Sequence, residues 1–194
     1  MTPDINPFRT TALDNIPYFF EKGDSFDQLY SDFREQSFCG AICGEQGRGK
    51  TRLMELFMEY LCEKGNSVEY IKLSLESKEF SYSSIDNLFL ENEDLILFFD
   101  GCEQLTPLQW FFFKRKIKRF SGKILISTHK EGRLPTLRFC DSSFELLKKI
   151  VEYLMKSTDL YVDNDLLKKL YKERNENIRE VLLDLYDYFS SVAS

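Results

Sequence analysis

The chain has 194 residues, of which 43% are hydrophobic and 30% are charged, and its net charge is −6. A chain of this length forms one good-sized domain or a core with a small appendage. The negative charge argues against wholesale binding to nucleic acid. No apolar run approaches the roughly 18 residues that would span a bilayer. The first residues are not those of a signal peptide, and five cysteines without a C-x-x-C pair predict reduced thiols in a cytoplasmic protein.

Strand and helix patterns alternate through the first two thirds of the chain. An amino-terminal arm, residues 1–36, contains apolar clusters and one short helix over 26–33. Strands are predicted over 37–43, 67–74, 95–99, 123–128 and 137–139. Helices are predicted from Leu53 to a C-cap at Gly65, at the apolar patch Ile85, Leu88, Phe89 and Leu90 within 75–94, and over 107–120.

The last third of the chain shows helical patterns alone. Three helices are predicted over 144–155, 163–171 and 177–189, each with Ser, Asp or Asn at or just before its start. The sequence therefore predicts a three-layer α/β fold with a parallel sheet and a small C-terminal helical lid. The domain boundaries that follow are an arm packed on the core (1–36), the core (37–142) and the lid (143–194).

The stretch Gly44-Glu45-Gln46-Gly47-Arg48-Gly49-Lys50-Thr51 reads G-x-x-x-x-G-K-T, the phosphate-binding loop called Walker A. Glycines let the backbone N–H groups approach phosphate oxygens. Lys50 is expected to reach the β and γ phosphates, and the Thr51 hydroxyl to take one site on Mg²⁺. A strand precedes this loop and a helix follows it, so residues 44–52, including Arg52, are predicted to bind nucleotide.

A second group of candidate residues follows the central strand. Asp100 lies at the strand's carboxyl end, where a carboxylate can complete the Mg²⁺ shell. Glu103 is a candidate catalytic base for the attacking water; the alternative is that it caps the helix beginning near Pro107. On the strand expected beside the phosphate-loop strand, Thr128 is the first choice and Ser127 the second for sensing the γ-phosphate.

Together these features resemble the additional-strand class of P-loop NTPases, with AAA+ and NACHT-like signalling ATPases as examples. The spacing Asp100-Gly101-Cys102-Glu103 differs from the adjacent Asp-Glu pair of most AAA+ proteins. The stretch Asn175-Glu176-Asn177-Ile178-Arg179-Glu180 resembles the sensor-2 motif of AAA+ lids. This resemblance implies that Arg179 reaches the nucleotide. The alternative is that Arg179 forms an ion pair with an Asp or Glu of the adjoining helix.

Two further sets of basic residues are open to two interpretations each. Arg133 and Arg138 lie where many AAA+ proteins place an arginine finger, or they are solvated loop residues. A cluster between 114 and 123 is either a solvated helix face or a surface for nucleic acid or an acidic partner, and it includes Lys114, Arg115, Lys118 and Arg119.

The sequence thus favours a Mg²⁺-dependent switch that binds and hydrolyses ATP. GTP is less favoured because no Asn/Thr-Lys-x-Asp stretch occurs. The alternatives are a small-molecule kinase, with Arg133 and Arg138 as lid arginines, and an interaction module that binds nucleotide without turnover. A protein partner and nucleotide-dependent homo-oligomers are expected, without membrane association.

Overall fold

The computed structural model describes residues 6–13, 15–20, 23–73, 92, 94–119, 122–158 and 160–192. The predicted helix within 75–94 lies outside the described residues, except for Asn92 and Asp94. Among the described residues the strands are β1 (Cys39–Cys43), β2 (Val68–Lys72), β3 (Ile96–Asp100), β4 (Ile124–Thr128) and β5 (Thr136–Phe139). The helices are α1 (Thr10–Leu13), α2 (Phe26–Glu35), α3 (Lys50–Glu63), α4 (Pro107–Ile117), α5 (Phe144–Met155), α6 (Asn164–Glu173) and α7 (Ile178–Val192).

The chain divides into two compact units. One, the sheet unit, comprises Phe20–Glu45 and Gly49–Cys140. The other, the helical unit, comprises Met1–Phe19, Gln46–Arg48 and Asp141–Ser194. The arm over 1–36 is therefore shared between them, because its first part groups with the C-terminal helices while α2 groups with the sheet.

All five strands of the sheet unit are parallel and lie in the order β2-β3-β4-β1-β5. The expected neighbour of the phosphate-loop strand is confirmed, since β4 pairs with β1 from Cys39↔Ile124 to Cys43↔Thr128. Strand β3 lies on the other side of β4. The predicted α/β fold with a parallel sheet is confirmed.

Alternation along the strands sorts their side chains between two helical layers. On one face Phe98 lies 6.0 Å from Phe57 of α3, measured between ring centroids. On the other face Phe99 lies 4.6 Å from Phe113 of α4. Since both faces are covered, β3 and β4 are buried along their whole length, which explains their unbroken apolar sequence.

Helix α4 begins with a capping box. The Thr106 hydroxyl accepts from the backbone N–H of Gln109, and the Gln109 side chain accepts from the backbone N–H of Thr106. Pro107 occupies the first turn, where no N–H is needed. The cap is thus Thr106 and not Glu103, which lies in the preceding 3₁₀ turn, Cys102–Gln104.

The helical unit has its own apolar core. Its largest contributions come from α5, α6 and α7, whose buried residues are Leu147, Val151, Met155, Leu167, Tyr171, Ile178, Val181, Leu182, Leu185 and Phe189. Phe8 of the arm stacks on Phe189 with 5.6 Å between ring centroids. The Asn6 amide donates to the Tyr186 carbonyl at 2.9 Å and to the Ser190 hydroxyl at 3.0 Å. Residues 6–8 therefore anchor the arm to α7.

We expect Thr106→Ala to lower the free energy of unfolding by about 1 kcal/mol, because one end of the capping box is lost. Glu103→Gln should lower it less, because Glu103 lies in the preceding 3₁₀ turn and takes no part in the capping box. Urea unfolding of both variants measures the difference. Equal destabilisation by the two substitutions would contradict the assignment of the cap.

Candidate functional site

The loop between β1 and α3 needs glycine at its first position. Gly44 has φ +150°, and a Cβ there would overlap the carbonyl oxygen of Cys140. Gly49, with φ +80°, is the N-cap of α3, and no side chain caps this helix. The amino terminus of α3 therefore presents backbone N–H groups and the positive end of the helix dipole to the loop. Such a helix end favours an anion.

Lys50 is folded back on this loop. Its ammonium donates to the carbonyl oxygens of Gly44 at 2.7 Å and Glu45 at 2.8 Å, and the residue is 8% exposed. Burial lowers the pKa of Lys50, and the nearby charges of Glu103 and Asp100 oppose this effect. A buried cation held mainly by neutral carbonyls is suited to exchange them for a phosphate.

The Asp100 carboxylate accepts hydrogen bonds from three hydroxyl groups. Thr51 donates to Oδ2 at 2.8 Å, Tyr70 donates to the same oxygen at 3.1 Å, and Ser127 donates to Oδ1. The Ser127 hydroxyl also accepts from the backbone N–H of Gly101. Asp100 is 4% exposed, so these donors replace the water that its carboxylate loses on burial.

The register of the sheet explains why these residues meet. Asp100 lies two residues after Phe98 and therefore on the face that α3 covers. Tyr70 pairs with Phe98 across β2 and β3, and so shares that face. Because Phe99 pairs with Ile126, Ser127 follows on the same side as Asp100.

Thr128, the first choice as a sensor, lies one residue further and is 3% exposed. Its carbonyl accepts from the N–H of Gly44, but its hydroxyl contacts none of the polar groups in the described part of the chain. Ser127, the second choice, is the residue that contacts Asp100. Tyr70 was missing from the sequence prediction, and only the pairing of β2 with β3 identifies it.

Glu103 lies beside His129, with 3.4 Å between Oε1 and the imidazole Nε2. Its other oxygen, Oε2, is buried and has no hydrogen-bond partner within the described residues. A buried carboxylate oxygen without a donor is uncommon, because burial removes its water without a replacement. Glu103 therefore takes no part in the cap of α4, and its Oε2 can accept a further hydrogen bond.

Thr51 and Asp100 fit a magnesium ion. Hydroxyl and carboxylate oxygens are ligands that Mg²⁺ prefers, and this ion commonly takes one or two carboxylates and fills its shell with water and phosphate oxygens. In the ranges that the structure describes, no group of three or more His, Cys, Asp or Glu residues forms a cage for a metal. These oxygens therefore suit an ion that arrives with a phosphate ligand.

Arg133 and Arg138 both have partners inside the sheet unit. Arg133 donates to the carbonyl of Cys102 at 2.5 Å and to that of Leu105 at 2.7 Å, and lies over the Trp110 ring. Arg138 pairs with Asp24 at 3.0 Å and Asp32 at 2.9 Å.

These contacts hold the 3₁₀ turn and α2 in place, and they do not favour a finger or lid-arginine role. Burial also raises the pKa of the Cys102 thiol to about 11, with Arg133 opposing the shift. All five cysteines are free thiols in this structure.

The middle of the phosphate loop belongs to the helical unit. The Arg48 guanidinium donates to the Glu176 carbonyl at 3.0 Å and lies 3.9 Å from the Asp141 carboxylate. A Cβ at Gly47 would overlap the Asn177 side chain, which also caps α7. Residues 46–48 are therefore tied to the turn before α7, and Arg48 has a structural role in addition to the predicted nucleotide contact.

Two arginines near α7 differ in their surroundings. Arg174 pairs with both oxygens of Asp184, at 2.7 and 2.6 Å. Arg179 is exposed, and its side chain makes no hydrogen bond or ion pair with the described residues. Among the described residues, an ion pair of the kind considered for Arg179 is made by Arg174 instead. Arg52, the last predicted loop residue, pairs with Glu55 at 3.8 Å within α3.

We expect Gly44→Ala to lower the free energy of unfolding far more than Gly49→Ala. The new methyl group at 44 overlaps the backbone of Cys140, whereas at 49 it meets no atom within 4 Å among the described residues beyond the adjoining chain. Only the left-handed backbone then opposes alanine at 49, at about 1–2 kcal/mol. Denaturant unfolding of the two variants measures this, and similar losses would contradict the close approach at Gly44.

Comparison by sequence finds no matching protein family and no matching curated protein. Comparison of folds does find similar structures. The T158V form of RuvB from Thermotoga maritima matches with a TM-score of 0.62 and 14% identity, over 97% of this chain and 68% of that one. Its K64R mutant matches with a TM-score of 0.59 and 12% identity, over 87% and 63%.

AMPPCP-bound DnaA from Aquifex aeolicus matches with a TM-score of 0.56 and 15% identity, over 84% of this chain and 61% of that chain. The chain thus spans somewhat over three fifths of each of these proteins. At such identities the similarity shows the fold alone. The fold is therefore similar to the folds of RuvB and DnaA.

Proposed function

We propose that this chain binds ATP with Mg²⁺ and hydrolyses it as a switch. The observation that carries the proposal is the hydrogen bond between Thr51 and Asp100, 2.8 Å long, directly after the phosphate loop. It joins the two oxygens that this class of site uses for Mg²⁺. The AMPPCP in the similar DnaA structure, an ATP analogue, supports the same ligand for this fold.

The site residues of the sheet unit have distinct roles in this proposal. Lys50 leaves the carbonyls of Gly44 and Glu45 and contacts the β and γ phosphates. Thr51 and Asp100 would hold a Mg²⁺ ion, which would supply positive charge next to the phosphates. Ser127 and Tyr70 keep the carboxylate oriented.

Glu103 supplies the base. Its partnerless Oε2 accepts a hydrogen bond from the attacking water and then its proton, while His129 orients the other oxygen. Thr128 is proposed to contact the γ-phosphate. It ends β4, and its carbonyl accepts from the N–H of Gly44. The residues from Gly44 to Arg52 supply the remaining nucleotide contacts, mainly through backbone N–H groups.

Arg179 is proposed as the sensor of the γ-phosphate in the helical unit. Support comes from the resemblance of residues 175–180 to the sensor-2 motif and from the lack of an acidic partner for Arg179 in the described chain. A switch of this kind would act on a protein partner, and nucleotide-dependent homo-oligomers are part of the proposal. In the described part of the chain no helix is both long enough and apolar enough to cross a bilayer.

The other candidate functions have less support. A kinase lid would need free arginines, whereas Arg133 and Arg138 are engaged in contacts within the sheet unit. A module that binds without turnover would not need a base, whereas Glu103 Oε2 can accept a hydrogen bond that no described residue supplies. Hydrolysis is therefore the function that these contacts favour.

The function is tested with Lys50→Ala and Glu103→Gln. Lys50→Ala removes the charge that faces the phosphates and should weaken ATP affinity by roughly 100-fold in calorimetry. Glu103→Gln should keep ATP affinity and lower kcat by about 10²–10⁴-fold in a phosphate-release assay, because an amide cannot accept the proton. Parental turnover in the Glu103 variant would place the base elsewhere, and parental ATP affinity without Lys50 would defeat the proposal.

The role of Tyr70 is tested through the metal dependence of binding. Tyr70→Phe removes one of the three donors on Asp100 and should weaken the Mg²⁺-dependent part of nucleotide affinity by about 10-fold. Asp100→Asn should weaken it further. Tyr60→Phe is the matched control, because Tyr60 also donates to a carboxylate, that of Asp27, on the exposed side of α3. Equal Mg²⁺ titrations of the Tyr70 and Tyr60 variants would reduce Tyr70 to a packing residue.

A further inference from the structure

Helix α4 carries a continuous exposed stripe that is apolar at one end and cationic at the other. Leu108, Phe111 and Phe112 are 65%, 58% and 54% exposed. At 3.6 residues per turn Arg115 continues the same face, and Arg119 lies in the turn directly after the helix. We call these five residues, together with Lys118, the α4 stripe. The helix buries its opposite side through Phe113 and Ile117.

The described residues leave this stripe unoccupied. Phe111 and Phe112 contact each other edge to face at 5.6 Å between ring centroids. The side chains of Arg115, Lys118 and Arg119 make no hydrogen bond or ion pair with any residue that the structure describes. Three large apolar side chains in succession on one exposed helix face are typical of an interaction surface rather than of isolated exposed residues.

The order of chemistry along the stripe defines its occupant. We propose that the α4 stripe binds an amphipathic helix of a protein partner, with acidic residues in one half and leucine-like or aromatic residues in the other. The cations of Arg115, Lys118 and Arg119 require carboxylates opposite them. Leu108, Phe111 and Phe112 follow the spacing i, i+3, i+4, which forms a ridge suited to a second helix.

The order of apolar and cationic residues along the α4 stripe also favours one direction of the partner helix. The cations lie at the carboxyl end of α4. An antiparallel partner places its amino-terminal half there, where its acidic residues are also favoured by its own helix dipole. Its carboxyl-terminal half then packs its apolar residues on Leu108 and the two phenylalanines. From Leu108 to Arg119 the stripe is roughly 16 Å long, or about three helical turns.

A protein helix fits this surface better than single-stranded nucleic acid does. Leu108, the most exposed of the three apolar residues of the stripe, offers no aromatic face for a base. The cations are confined to one half, whereas a nucleic-acid strand would need them along its whole backbone. The inference concerns the outer face of α4 and does not depend on nucleotide binding, so either proposal can fail alone.

The probe is a fluorescein-labelled helical peptide of about 14 residues, roughly 21 Å long. Its binding face has glutamates in the amino-terminal half and leucines with one phenylalanine in the carboxyl-terminal half. Fluorescence anisotropy measures its affinity for the full chain. A peptide of the same composition, with the order of the two halves reversed, is the control for direction.

We expect two kinds of variant to weaken binding by at least about tenfold. The variant Phe111→Ser with Phe112→Ser removes the apolar half, and Arg115→Glu with Arg119→Glu reverses the cationic half. All four residues are exposed, so circular dichroism should be unchanged. The matched control is Lys149→Glu with Lys156→Glu, two exposed lysines of the helical unit.

Charge exchange gives the decisive result. A second peptide with lysines in place of the glutamates should bind the Arg115→Glu, Arg119→Glu variant at least about tenfold more tightly than it binds the parental chain. The proposal is overturned if the parental chain does not bind the first peptide or binds the reversed peptide equally well. It is also overturned if the stripe variants lose binding to a single-stranded oligonucleotide but not to the peptide.

A second copy of the chain is the remaining occupant. Helix α7 exposes acidic residues, including Glu180 and Asp187. Sedimentation without peptide distinguishes this case: self-association of the parental chain that the stripe variants abolish would replace the partner helix with the chain itself.

Discussion

The Asp100 carboxylate links four elements of the sheet unit through hydrogen bonds. Thr51 reaches it from α3, Tyr70 from β2 and Ser127 from β4, while Asp100 itself ends β3. A carboxylate that is 4% exposed is costly to bury unless such donors surround it. The order of the strands and the position of α3 therefore bring three hydroxyl donors within hydrogen-bond distance of one buried carboxylate. The same hydrogen bonds orient the oxygens that a metal would use.

Glycine and lysine complete this arrangement on the phosphate loop. Gly44 allows the loop to approach the backbone of Cys140, and the free end of α3 supplies N–H groups. Lys50 stays inside the loop on two carbonyls at 2.7 and 2.8 Å. A cation held by neutral oxygens is easily displaced by a stronger anionic ligand. The loop thus combines a rigid backbone with one side chain that can change partners.

The two units differ in what their surfaces offer. The turn before α7 holds Arg48 through the Glu176 carbonyl, so one basic residue of the loop is used for structure. In the sheet unit, Arg133 and Arg138 are used in the same way. Arg115, Lys118 and Arg119, at the carboxyl end of α4, instead have no hydrogen-bond or ion-pair partner among the described residues, and exposed leucine and phenylalanine side chains precede them on the helix. Some basic residues of the chain therefore hold elements of the fold together, whereas others are exposed on a helix surface.

The sequence by itself determined the parallel α/β fold, the position of the phosphate loop and the neighbouring strands β1 and β4. These follow from local patterns: apolar runs, a glycine-rich turn and capping residues. The tertiary structure decided which side chains meet Asp100. Strand register places Ser127 and Tyr70 on its face of the sheet and leaves the Thr128 hydroxyl without a contact to it. It also placed Glu103 beside His129, with its Oε2 buried and without a donor among the described residues. Such pairings depend on residues distant in sequence, and no local pattern records them.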